Sequence, residues 1–141
     1  MESEIIMENK LKHLEMIQGI INRMAGNSFM LNGWAVTLVA GIYALASKDA
    51  DKIYYLITYV PIVIFWGLDA YYLRQERLYR KLYDKVRKQR DNEIDFSMNA
   101  ALPEFKTEKT SYLNTLLSVT ELWFYLPLAL LTALVIILSL M

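Results

Sequence analysis

A single acidic residue, Asp69, lies inside an otherwise apolar run from Ile53 to Leu73. A carboxylate placed in bilayer hydrocarbon is costly and normally faces protein or water. Asp69 is therefore either an interfacial acid paired with a base such as Arg74, or one member of a ring of acids that draws cations to a pore mouth. An earlier apolar run carries Asn32 and Thr37. Asn32, Thr37 and Asp69 form the candidate pore or gate set. Directly after Asp69 comes a dense basic stretch. Residues 74–90 hold eight cations against Glu76 and Asp84, a net charge of +6. Arg74, Arg77, Arg80, Lys81, Lys85, Arg87 and Lys88 interleave there with Tyr79 and Tyr83. Arginine forks onto phosphate and tyrosine stacks on bases, so these seven cations are the candidate ligand-binding set for a nucleotide or oligonucleotide. The same composition also suits contact with anionic lipid heads.

Catalytic chemistry is not expected. The sequence has one histidine, His13, and no cysteine. No histidine stands in a nucleophile motif with serine, and none of the five glycines forms a phosphate-cradling loop. The acids Asp49 and Asp51 fall in a short polar turn. An enzyme, a cofactor and a metal site are all outside the expectation.

The elements that must carry these residues follow from charge segregation. Among 141 residues, the stretches 28–47, 53–73 and 122–141 hold 61 positions and one charge, Asp69. Twenty helical residues at about 1.5 Å each cover about 30 Å, the hydrocarbon thickness of a bilayer. Pro61 in the second stretch and Pro127 in the third are tolerable in membrane helices. A soluble bundle helix keeps a polar face at 3.6-residue spacing, and residues 126–140 have none. The expected fold class is thus all-α: a polytopic membrane protein with three transmembrane helices and amphipathic cytoplasmic helices. The expected organisation is a leader helix over 1–27, a transmembrane hairpin over 28–73 (spans 28–47 and 53–73), a basic helix, loop and interfacial helix over 74–121, and a third span over 122–141. The leader has a net charge of −1 ahead of the first apolar run, unlike the short positive leader of a signal peptide.

Orientation follows from lysine and arginine. Thirteen of them lie in the leader and in 74–121, and two, Lys48 and Lys52, in the hairpin turn. The positive-inside rule places the N-terminus and the basic segment in the cytoplasm, and the hairpin tip and C-terminus outside. For a bacterial chain this means the inner (plasma) membrane, with the C-terminus periplasmic or extracellular.

The leader carries Leu14, Ile17, Ile21 and Met24 at spacings of 3, 4 and 3, the pattern of a heptad seam. These are the candidate oligomerisation residues. The stripe is short, so packing on the membrane or on the chain itself is an equal alternative. Gly26 and Asn27 mark an expected break before the first span. Residues 91–108 read as irregular, and 110–121 as a resumed helix. Three spans enclose no pathway by themselves, so conduction requires protomers around an axis.

Residues 13–46, with Gly26-Asn27-Ser28-Phe29 and Asn32-Gly33-Trp34, resemble a group of small, largely uncharacterised bacterial inner-membrane proteins. So do residues 65–82, with Trp66-Gly67-Leu68-Asp69. Within that group the resemblance points to the Hailong-type antiphage ion-channel effector. It implies a homo-oligomeric channel such as a tetramer, depolarising the membrane under control of a cytoplasmic oligonucleotide or cyclic nucleotide, and a nucleotidyltransferase partner that makes this signal. Two other classes remain open: a non-conducting adaptor that anchors a partner through the leader, and an accessory subunit of a larger transporter.

Overall fold

The computed structural model describes residues 2–46 and 53–140, with side chains described for 4–46 and 55–138. The expected hairpin tip, Lys48 to Lys52, lies outside the described residues. All regular elements among the described residues are helical. They are α1 (Glu2–Ala46), α2 (Ile53–Ile57), α3 (Tyr59–Lys88), α4 (Tyr112–Leu116) and α5 (Val119–Leu140), with single 3-10 turns at Asp91–Glu93, Pro103–Phe105 and Glu108–Thr110. Three of these helices are long and apolar enough to cross a membrane.

The first helix runs unbroken for 45 residues, about 67 Å. No break occurs at Gly26-Asn27. An interior glycine costs a helix only about 1 kcal/mol, and residues on both sides of it, Ile21 and Ala35, are buried. Leader and first span are therefore one rod, packed lengthwise on α3. The second apolar run is instead interrupted at Thr58. Pro61 has no N–H to offer the carbonyl four residues back, and its ring crowds that carbonyl. The chain turns there, with Thr58 donating both its N–H and its hydroxyl to the Tyr55 carbonyl. Pro61 then sits in the first turn of α3, where a donor has no partner anyway. The third run tolerates Pro127 within a continuous α5.

Two apolar cores result. In the half built from the apolar runs, Ala35, Val39, Ile62 and Tyr125 join all three candidate spans. In the other half, Ile17 and Ile21 of α1 meet Leu78, Leu82 and Val86 of α3. The irregular chain after α3 closes this second core by inserting Ile94, Ala100 and Phe105. The expected helix over 110–121 is split. A 3-10 bond from Ser118 N–H to Thr115 O tightens the end of α4, and Ser118 O accepts from Leu122 as α5 begins.

Candidate functional site

Between the two cores lies a polar waist. Asp69 faces inward from α3 and is 2% exposed. The Tyr125 hydroxyl, from fully buried Tyr125 on α5, donates to Asp69 Oδ2 at 3.2 Å. Ser28 of α1 lies against the same carboxylate. One helical turn before Tyr125, Glu121 is also 2% exposed. Asp69 Oδ1, Glu121 Oε2 and Asn32 Oδ1 are buried without a hydrogen-bond partner among the described residues. The Tyr125 ring stacks on Trp66 at 5.9 Å, and Trp66 Nε1 donates to the Leu116 carbonyl at 2.9 Å. The Tyr112 hydroxyl donates to the Gly67 carbonyl at 2.9 Å. The three spans and the α4 turn are thus tied at one level.

The candidate gate residues do not share a surface. Asp69 is sealed by its own chain, because Tyr125 closes over it; in this conformation it lines no lumen between protomers. Asn32 is half-buried. Thr37 faces outward and donates to the Gly33 carbonyl at 2.8 Å. Nor is Asp69 ion-paired with Arg74, whose Nε donates to the Thr110 carbonyl at 2.8 Å.

The basic helix is similarly divided. Arg77 donates to the Lys109 carbonyl at 3.0 Å and to Thr115 Oγ1 at 3.3 Å. Arg80 pairs with Glu76 at 2.8 Å, Lys85 with Glu104 at 2.7 Å and Arg87 with Asp84 at 3.2 Å. Five of the seven cations therefore have partners within the chain, and exposed pairs of this kind add little stability. Lys81 and Lys88 have no ion pair among the described residues and are exposed. What the fold adds is a second wall. The 3-10 turn Glu108–Thr110 and α4 fold back along α3 and form a groove of about 540 Å³. Arg77, Arg80, Lys81 and Lys109 bring four positive charges to it, and Asp84 and Glu108 two negative ones. Asn114 and Ser118 complete its polar lining. Spacing gave no sign of Lys109, Asn114 or Ser118, since each reaches the groove only through the return of the chain from the irregular segment.

Of the candidate oligomerisation residues, Ile17 and Ile21 are 0% and 2% exposed, covered by α3 and the loop. They leave no surface for a second protomer; the heptad spacing is satisfied within the chain. Leu14 and Met24 are half-buried. The leader exposes Ile5 and Met16 on one flank and Met7 and Leu11 on another. Along the spans, only 17%, 22% and 17% of the most apolar windows are buried by the chain itself.

Comparison with protein-family models, with curated proteins and with solved structures finds no match to this chain.

Proposed function

We propose that this chain is the protomer of a ligand-gated ion channel, a homo-oligomer of the bacterial inner membrane with its basic groove in the cytoplasm. The observation that carries this reading is the position of Arg77. Its side chain lines the groove, holds the chain entering α4 through the Lys109 carbonyl, and holds α4 itself at Thr115, next to the Leu116 carbonyl that Trp66 ties to the spans. A cytoplasmic anion in the groove would thus touch the residue that reaches the membrane half. The largely uncovered spans support assembly around an axis, since one protomer encloses no path. The signal is an anionic nucleotide or oligonucleotide made by a partner nucleotidyltransferase, and the outcome is loss of membrane potential in antiphage defence, as the sequence resemblance implies. Asp69 then serves as a buried tie that sets the closed packing.

Ion flux from liposomes carrying the purified protein, with and without a short single-stranded oligonucleotide, tests this. The expected result is ligand-dependent flux and a particle of several protomers in detergent. A monomeric particle with no flux under either condition overturns it. A second reading, a non-conducting adaptor, is favoured by the exposed apolar side chains of the leader, Ile5, Met7, Leu11 and Met16. It predicts a stable complex with a partner protein and no flux.

A further inference from the structure

We infer that the groove beside α4 is a binding site for a phosphate group, and that Arg77 is the positioning residue through which its occupancy is felt by α4 and α5. The inference rests on the proposed cytoplasmic sensing role of the groove, but it concerns binding and coupling, not conduction.

The argument starts from which cations are uncommitted. Lys81 on α3 and Lys109 on the opposite wall both border the groove, and neither has an ion pair among the described residues. Two ammonium groups on facing walls suit a compact dianion better than an extended chain. Each is a strongly hydrated point charge whose self-repulsion an anion relieves. Arg77 is the third cation, with a fixed fork of donors that matches phosphate oxygens. At present it holds the Lys109 carbonyl, ahead of α4, and the Thr115 hydroxyl, within it. Thr115 Oγ1 in turn donates to the Ser111 carbonyl. Asp84 and Glu108 on the rim repel a bare polyanion and accept hydrogen bonds from hydroxyl or amino groups. The groove's volume admits a phosphorylated unit of about nucleotide size.

A phosphate seated between Lys81 and Lys109 competes for the Arg77 fork. As Arg77 turns to it, α4 and the turn ahead of it lose one hydrogen bond each. Trp66 reports the consequence, because its indole is bonded to the end of α4 and stacked on Tyr125 of α5. The phosphate can come from a free nucleotide or from a phospholipid head, since the groove lies beside the membrane half.

The test uses the full chain with Trp34 and Trp123 replaced by Phe, in nanodiscs of phosphatidylcholine alone or with phosphatidylglycerol added. ADP and inorganic pyrophosphate are the probes. Saturable binding accompanied by a change in Trp66 emission is expected. Lys81→Gln and Lys109→Gln should each weaken binding about tenfold, roughly the loss of one charge-assisted contact. Lys12→Gln, on the leader, should leave it unchanged. Arg77→Lys should keep most binding and lose the emission change; Arg77→Gln should do the same with weaker binding. Loss of probe binding when phosphatidylglycerol is added supports the site with lipid as its source, and persistence supports the free nucleotide. No saturable binding in either nanodisc overturns the site. Binding with an undiminished emission change in both Arg77 variants overturns the positioning role. Channel failure alone would appear as binding and emission change without flux, and so is distinguishable.

Discussion

Replacing Tyr125 by Phe deletes one hydroxyl from the waist and no ring atom. The ring keeps its stacking on Trp66 at 5.9 Å and its edge contact with Phe124 at 4.9 Å, so packing is retained. The loss is the 3.2 Å bond to Asp69 Oδ2. Asp69 Oδ1 already lacks a partner, so the variant takes one of the two hydroxyls, Tyr125 and Ser28, away from a carboxylate in a residue only 2% exposed. Losing a hydrogen bond to a buried polar or charged group costs about 1–3 kcal/mol. In an Asp69→Leu background the buried phenol has itself lost its acceptor, so Tyr125→Phe should cost nothing or stabilise. The two substitutions are therefore expected to couple by about 1–3 kcal/mol in a double-mutant cycle. Unfolding by sodium dodecyl sulfate titrated into dodecylmaltoside micelles, followed by helical circular dichroism, measures each corner. Equal costs of Tyr125→Phe in the two backgrounds would refute the reasoning, because the phenol would then stabilise through something other than Asp69.

Other outcomes follow from the same contacts. Ile17→Ala empties a fully buried position between α1 and α3 and should destabilise the core around it by about 2–5 kcal/mol; since this side chain faces its own protomer, particle size in detergent should not change. Arg74→Gln removes the bond to the Thr110 carbonyl and should speed amide exchange over residues 107–112, a loosening of about 1–2 kcal/mol that mass spectrometry would register. Because the natural sequence has no cysteine, Lys106→Cys gives a clean topology probe. An impermeant maleimide should label it only after the cells are opened, and labelling of intact cells would reverse the orientation.

Hydropathy alone makes the three helices long and apolar enough to cross a membrane legible, because bilayer thickness converts directly into a count of apolar residues. The helical stripe on α3 at Leu78, Leu82 and Val86 is equally plain, and it is the buried face. The heptad spacing of the leader is real too, but period alone does not say what covers a stripe; α3 and the loop cover Ile17 and Ile21. Helix boundaries are less legible. Gly26 reads as a stop, yet packing on both sides carries α1 through it, whereas Pro61 acts at a distance of one turn and breaks the chain at Thr58.

Charge type and helical period are local properties, and the sequence by itself determined what depends on them: helices throughout, apolar runs of bilayer length and a cationic segment between the second and third. Which groups meet is not local. Tyr125 reaches Asp69 across 56 positions, and Arg77 reaches Lys109 across 32, only because residues 91–118 fold back along α3. That return has no hydrophobic period to announce it. It is held by single anchors, Ile94, Ala100 and Phe105, and by hydrogen bonds to backbone carbonyls, so only the tertiary structure decided that the basic helix has a second wall and that Asp69 is sealed within its own chain.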